Sequence, residues 1–145
     1  GREFVDMDML IEAREGTSVA EIFRTRGEEY FRLIEQELCM ELGQRNEMVI
    51  ATGGGTLLSE QNCARFANAL IVCLDAGVEE IVARLRGTGD RPLLASGDLR
   101  ARVEELLAAR RAAYAQIENH VDTSGKSAKQ AADEVVALYR RIADA

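Results

Sequence analysis

The chain has 145 residues, the length of one ordinary domain, and 47% of them are hydrophobic, which is enough for a single core. It carries 25 acidic residues against 18 lysines and arginines, so its formal charge is −7 and its surface repels nucleic-acid phosphates and anionic lipids. We therefore expect no nucleic-acid partner and no membrane partner, and any anion that binds requires a local group of arginines.

The cysteines and the apolar segments exclude further classes of protein. The chain contains three cysteines, Cys39, Cys63 and Cys73. This is an odd number, no two of them have the Cys-x-x-Cys spacing, and all three lie in largely apolar stretches. This pattern indicates small buried residues of a reduced compartment and argues against a cysteine-ligated metal site. The longest apolar run, residues 69–74, is too short to span a bilayer, and the first residues show no signal sequence. A cytoplasmic location, or the interior of an organelle, is expected.

The first residues predict a strand that ends in two carboxylates. Residues 3–6 have the composition of a short strand, and Asp6 and Asp8 would share one side of it if the extended backbone continued. The pair favours catalysis or magnesium binding. Either carboxylate alone could instead cap the helix that is predicted for residues 9–14.

The next segment is predicted to be helical and contains the first arginine of interest. Ser18 and Glu21 have the spacing of a capping box, and a longer helix follows Gly27. Arg32 lies beside the apolar stripe of that helix, one turn from Glu35, so it is either part of a surface ion pair or a ligand for an anion. The apolar stripe comprises Phe31, Ile34, Leu38 and Leu42.

A run of three glycines follows the apolar segment formed by residues 48–51. A short apolar run closed by glycine predicts a buried strand whose carboxyl end lets a ligand approach the backbone. Gly53, Gly54 and Gly55 have no Cβ, so they can adopt positive φ and turn their N–H groups toward a ligand. The alternative is an ordinary tight turn between a strand and a helix.

The middle of the chain predicts a second buried strand and a polar loop. A helical segment around residues 61–67 precedes the apolar strand at 69–74, and two strands apolar on both faces fit a parallel sheet covered by helices. A helix at residues 78–85 then leads into residues 86–98, a charged loop that contains the only proline. This loop is either a mobile lid or an ordinary surface loop.

The C-terminal part predicts two helices and a last strand. The helix at residues 99–117 carries Arg110 on its apolar face, where a guanidinium requires a protein carboxylate or a bound anion. Residues 120–123 are predicted to form a strand, in which His120 is expected to be structural, and residues 128–143 form the closing helix. The predicted inner face of that helix comprises Ala132, Val135, Val136, Tyr139 and Ile142.

Taken together, five motifs resemble the shikimate kinase family. In chain order they are Asp6-Met7-Asp8, Gly27-Glu28-Glu29-Tyr30-Phe31-Arg32, Thr52-Gly53-Gly54-Gly55, Arg91-Pro92-Leu93-Leu94, and Arg110 with Tyr114. The resemblance covers essentially the whole chain, and the order and spacing of the motifs make it specific. It implies an α/β, nucleoside-monophosphate-kinase-like three-layer fold with a five-stranded parallel sheet. Residues 1–145 would form one kinase-like domain, with a substrate-binding helical segment at 9–43 and a lid at 86–98.

The resemblance also implies the substrate and the residues that bind it. The reaction would be phosphorylation of a hydroxyl of shikimate to shikimate 3-phosphate. Asp8 would hold a ring hydroxyl and help to activate the one that attacks, while Arg32 and Arg110 would bind the carboxylate. The backbone of the glycine run would approach the substrate, and the walls of the pocket would be Phe23 and Phe31.

ATP and Mg²⁺ are the cofactors that the resemblance implies. Arg91 would be the lid arginine on the ATP phosphates, and Arg84 and Lys126 would lie near the adenine end. Asp6 would act at magnesium indirectly, through water. A monomer is expected.

One part of the family pattern would precede residue 1: the first strand, the phosphate-binding glycine loop with its lysine, and the first helix. In the family's strand order that strand lies between the two apolar strands found here, so we expect a gap in the core as well as in the chemistry. Two explanations for the missing part of the pattern compete. The chain is either a portion of a longer kinase or a non-catalytic remnant that binds a small carboxylate or a protein partner. A kinase of the same fold that acts on another small metabolite is a further alternative.

Overall fold

The computed structural model describes residues 1–86 and 98–144, which fall into two compact α/β units, Gly1–Asn68 and Ala69–Ala145. The first unit contains β1 (Glu3–Asp6), α1 (Met7–Glu15), α2 (Val19–Leu42), β2 (Met48–Ala51), a 3-10 turn (Thr56–Leu58) and α3 (Glu60–Arg65). The second contains β3 (Val72–Asp75), α4 (Val78–Leu85), α5 (Leu99–Tyr114), β4 (Asn119–Asp122) and α6 (Ala128–Ala143). No helix in these described ranges is both long and apolar enough to cross a membrane.

In the first unit, β1 and β2 are parallel, with Asp6 opposite Ala51 at their carboxyl ends. The backbone turns from strand to helix immediately after Asp6, whose side chain accepts a hydrogen bond from the Met9 N–H at 3.1 Å and so caps α1. The expectation that Asp6 and Asp8 share one side of an extended segment is therefore wrong, because Asp8 lies in the first turn of a helix. The helix ends at Gly16, where φ is 67°.

Helix α2 is the long helix that the apolar stripe predicts. The Glu21 N–H donates to the Ser18 hydroxyl at its start, and a kink occurs at Gly27, where φ is 81° and ψ is 170°. Beyond the kink one face is buried against the rest of the unit. The buried residues of that face are Phe31, Glu35, Leu38, Cys39 and Leu42. A carboxylate is therefore part of this apolar face.

In the second unit, β3 and β4 are parallel, with Val72 opposite Asn119. Arg84 of α4 donates to the Thr123 hydroxyl at 2.9 Å and to the Thr123 carbonyl at 2.7 Å, which fixes α4 to the end of β4. The bounds predicted for α4 and α6 agree with the structure. By contrast, β3 begins at Val72 rather than at residue 69, and α5 ends at Tyr114 rather than at residue 117.

The predicted burial of the sheet and of the closing helix is wrong for several residues. Val49 and Leu74 of the two apolar strands are 51% and 60% exposed, and Phe4, which is opposite Val49 in register, is 64% exposed. On α6, Val135 is half-buried, but the other residues of the predicted inner face are exposed. The described strands form two separate parallel pairs, which agrees with the gap expected between the two apolar strands of the family's five-stranded sheet.

Candidate active site

Carboxylate and hydroxyl groups converge on the glycine run that follows β2. A Cβ built on Gly53 would lie 3.3 Å from Thr56 Oγ1, 3.5 Å from Glu35 Oε1 and 3.7 Å from Asp8 Oδ1. The first turn of α1, the buried face of α2 and the end of β2 therefore meet at this backbone. The structure thus brings Asp8 and the glycine run together, as the sequence predicts.

Gly55 allows the Arg32 guanidinium to approach the backbone closely, without an unusual backbone conformation. A Cβ on Gly55 would lie 2.7 Å from Arg32 Cζ, closer than real atoms approach, so the absent side chain leaves room for the guanidinium. Positive φ was expected in the run, but Gly55 has φ of −95°. Among the residues described, the glycines with positive φ are Gly16, Gly27 and Gly125.

Arg32 is held by two carboxylates of its own helix. Its Nη1 donates to Glu35 Oε2 at 2.9 Å and its Nη2 donates to Glu28 Oε1 at 3.1 Å. Burial alone would lower the pKa of Arg32, but the hydrogen bonds and charges of Glu35 and Glu28 outweigh it and raise the pKa, so the guanidinium is charged. These two bonds occupy two of the five N–H donors of a guanidinium, and the side chain is 30% exposed, so a bound anion can use the others.

Sequence reasoning missed the roles of Glu35 and Thr56. The Thr56 hydroxyl donates to Glu35 Oε1 at 2.6 Å, and the two residues are only 0% and 1% exposed. Asn62 Nδ2 in turn donates to the Thr56 carbonyl at 2.9 Å. The sequence did contain a sign of this buried contact, because Glu35 lies between Phe31 and Leu38 on the apolar stripe. A charged side chain in that position requires buried hydrogen-bond partners.

Two further predicted residues of this unit have clear positions. Phe23 and Phe31 lie on either side of the kink in α2, with their ring centroids 4.9 Å apart. The two expected wall residues therefore contact each other. Asp6 caps α1, and its indirect role at a metal stays a prediction.

The second unit groups two of the predicted nucleotide-binding residues at the end of β4. Arg84 donates to Thr123, and Lys126 Nζ donates to the carbonyl of Asp122 at 2.7 Å and to Glu134 Oε2 at 2.9 Å. Both cations are therefore bound by oxygens of the protein. Their roles toward a nucleotide stay predictions.

The other predicted cations are not tested by the geometry. Arg110 is half-buried on α5 of the second unit, and its binding of a carboxylate together with Arg32 stays a prediction. Arg91 and positions 87–97 of the predicted lid lie outside the described residues.

A surface cavity of about 370 Å³ between α4 and α5 contains none of the predicted site residues. It is lined by Val78, Glu104, Leu107, Ala108 and Arg111.

Comparison with known proteins gives consistent matches over nearly the whole chain. The family model described as shikimate kinase matches residues 1–140. A shikimate kinase of Caldanaerobacter subterraneus is 39% identical over 140 residues, which cover 96% of this chain and 82% of the relative. One of Geobacter sulfurreducens is 39% identical over 141 residues, which cover 97% of this chain and 78% of the relative.

A solved structure matches the fold closely. Shikimate kinase from Acinetobacter baumannii, in complex with shikimate, superposes with a TM-score of 0.91 at 30% sequence identity. The superposition covers 97% of this chain and 80% of that chain. The α/β architecture described above is therefore the nucleoside-monophosphate-kinase-like fold that the motifs indicated.

Proposed function

Because the chain belongs to the shikimate kinase family, we propose that it catalyses the ATP-dependent phosphorylation of a shikimate hydroxyl to give shikimate 3-phosphate. The observation that carries the proposal is the convergence of Asp8, Arg32 and the buried Glu35 on the glycine-lined end of β2. This arrangement offers an acceptor for a hydroxyl and a cation for a carboxylate, and shikimate has both groups. The protein acts as a monomer without nucleic-acid or membrane partners.

Asp8 is the proposed acceptor for the reacting hydroxyl. Phosphoryl transfer depends mainly on alignment and on electrostatic stabilisation, so a carboxylate that orients the hydroxyl and takes its proton supplies what the protein must contribute. Asp8 is half-buried in the first turn of α1, where the positive end of the helix dipole favours an acidic side chain. Its carboxylate lies beside the backbone of Gly53, which has no side chain to exclude the substrate.

Arg32 is the proposed ligand for the carboxylate of shikimate. A guanidinium presents planar, paired donors that match the two oxygens of a carboxylate. Glu35 is fixed by Thr56 and in turn fixes the guanidinium, so Arg32 is oriented before the substrate arrives. Arg110 is proposed as the second cation for the same carboxylate.

The proposed nucleotide ligands are Arg91 at the phosphates and Arg84 and Lys126 at the adenine end. Asp6 uses one carboxylate oxygen to cap α1, and the second oxygen can accept a hydrogen bond from a water on Mg²⁺, a cation that prefers oxygen ligands. When bound, Mg²⁺ neutralises charge on the transferring phosphate.

The proposal is tested by measuring ADP formation by the purified protein with shikimate, with gluconate or with a nucleoside monophosphate. With ATP and Mg²⁺, and in a protein that includes the family's phosphate-binding loop, we expect turnover of shikimate and not of the other two compounds, with a phosphorylated product identified by mass spectrometry. Asp8→Asn should lower kcat by at least about 100-fold, the usual contribution of a positioned proton acceptor. Binding of shikimate without ADP formation would instead indicate a carboxylate-binding protein, and turnover of another metabolite would indicate a different kinase.

Gly55→Ala is expected to weaken shikimate binding by about tenfold, equivalent to about 1.4 kcal/mol. The added Cβ would overlap the Arg32 guanidinium, which must shift from the position in which Glu35 and Glu28 hold it. Calorimetric titration with shikimate measures the change. Gly77→Ala is the matched control, because its Cβ would meet nothing within 4 Å. An unchanged affinity in Gly55→Ala would contradict the proposed close approach.

A further inference from the structure

Three side chains on one face of the β3–β4 pair form a cluster that the kinase reaction does not use. Cys73 and His120 are opposite each other in the parallel register, and Asp75 lies two residues after Cys73, so all three project from the same face of the sheet. Each residue offers one ligand atom, and these three atoms lie within 4.8 Å of one another. They are the thiol sulfur of Cys73, a carboxylate oxygen of Asp75 and an imidazole nitrogen of His120. All three residues belong to the second unit.

The hydrogen bonds of the cluster leave one imidazole nitrogen facing the other two groups. His120 Nε2 is 2.8 Å from the Ile117 carbonyl oxygen, which can only accept, so Nε2 carries a proton. His120 Nδ1 is 2.7 Å from Asp75 Oδ2, and Cys73 Sγ donates to Asp75 Oδ1 at 3.4 Å. The protons of the Nδ1 and Sγ bonds therefore occupy the positions that a metal cation could take.

We propose that Cys73, Asp75 and His120 form a binding site for a thiophilic divalent cation of the zinc class, with solvent as the fourth ligand. A donor set of sulfur, nitrogen and carboxylate oxygen suits Zn²⁺, whereas Mg²⁺ and Ca²⁺ take oxygen ligands. This site is therefore distinct from the proposed magnesium site at Asp6. The sequence alone argued against it, because Cys73 has no second cysteine nearby in the chain.

The geometry requires only small movements to bind such an ion. Zinc bonds of 2.0–2.3 Å in a tetrahedral site place ligand atoms about 3.3–3.8 Å apart, so the atoms must shift by about 1 Å or less. The side chains of Asp75 and His120 are 45% and 36% exposed, so an ion can enter from solvent. The Nε2–H bond to Ile117 is the outer interaction that typically orients a metal-bound histidine.

Binding displaces the thiol proton of Cys73 to solvent. Burial and the hydrogen bond to Asp75 raise the pKa of this thiol to about 11 in the metal-free protein, so the cation must replace a proton that is firmly held. A bound ion would then connect β3 to β4 and stabilise the second unit, because it binds the folded chain in preference to the unfolded one.

Co²⁺ is the probe for this site, because a tetrahedral cobalt–thiolate centre has a characteristic ligand-to-metal absorption. We expect the reduced, purified protein to bind one equivalent of Co²⁺ with this absorption and to release it to Zn²⁺. Cys73→Ser should abolish the thiolate band. Asp75→Asn and His120→Gln should each weaken Co²⁺ binding by at least about tenfold, since even the loss of an outer partner costs about 10- to 100-fold in affinity.

Cys63→Ser is the matched control, because Cys63 lies in the first unit and its thiol donates to the Leu57 carbonyl at 3.2 Å. Its cobalt spectrum should equal that of the unsubstituted protein. Thermal unfolding is a second measurement, and it does not depend on the folding of the Cys73, Asp75 or His120 variants. One equivalent of Zn²⁺ should raise the Tm of the unsubstituted protein and of Cys63→Ser. Absence of both the band and the Tm shift in the unsubstituted protein, or a thiolate band that persists in Cys73→Ser, would overturn the proposal.

Discussion

Replacing Arg32 with methionine is expected to weaken shikimate binding about 100-fold, equivalent to about 2.7 kcal/mol, and to change ATP binding by less than about threefold. Hydrogen bonds to a charged group contribute about 1.5–3 kcal/mol each, and the substitution removes the charged donors while a long, unbranched side chain still fills the space. Only shikimate has the carboxylate that Arg32 is proposed to bind. Calorimetric titration with each ligand separately measures both affinities.

Two further variants distinguish a lost ligand contact from a disturbed fold. Arg32→Lys keeps the charge but loses the paired donors, so we expect a loss of about tenfold. Arg32→Met combined with Glu35→Gln removes the carboxylate that the single variant leaves without its partner. If the double variant loses as much shikimate affinity as the single variant, the cause is the missing contact between Arg32 and shikimate and not the unpaired carboxylate of Glu35. Equal losses for shikimate and ATP would contradict the assigned role.

Glu35→Ala is expected to lower the free energy of unfolding by about 3 kcal/mol and the Tm by about 10 °C. The carboxylate is only 1% exposed and accepts hydrogen bonds from Thr56 and Arg32. Its removal leaves a cavity and two donors without their partner. The estimate is at the lower end of the range for broken buried pairs because Arg32 is 30% exposed and water can partly solvate it. Thermal and urea denaturation measure the change.

Glu28→Ala is the control for this prediction, because Glu28 binds the same guanidinium but its side chain is 50% exposed. We expect a loss of less than about 1 kcal/mol, since exposed ion pairs contribute little. The comparison isolates burial as the cause of the difference. A similar loss in both variants would show that Glu35 is not a buried support of the site.

The local elements were predictable because their signals are contained within a few residues. The caps of α1 and α2 are examples, because the side chains of Asp6 and Ser18 each accept a hydrogen bond from a backbone N–H three positions later. For the same reason the bounds of α4, β2 and α6 follow from composition and periodicity. The motif order also identified the family, since each motif is a short string.

The burial of the strands and of α6 was not predictable from the same signals. An apolar stripe shows which face of a strand or helix is suited to burial. Whether that face is buried depends on a neighbouring element that packs against it, and the stripe itself does not show that element. Val49 and Leu74 fit buried strands by composition and are nevertheless exposed. Binary patterning therefore predicted the secondary structure of these residues better than their environment.

The sequence by itself determined the helices, several of their caps and the parallel strands, and the order of its motifs identified the family. Only the tertiary structure decided that Glu35 meets Thr56 and that Cys73 meets His120, because those pairs are far apart in the chain. The first contact depends on how α2 packs against the end of β2, and the second depends on the register of two parallel strands. Helical periodicity and residue spacing describe one segment at a time, so they contain no information on which distant side chains a packed core brings together.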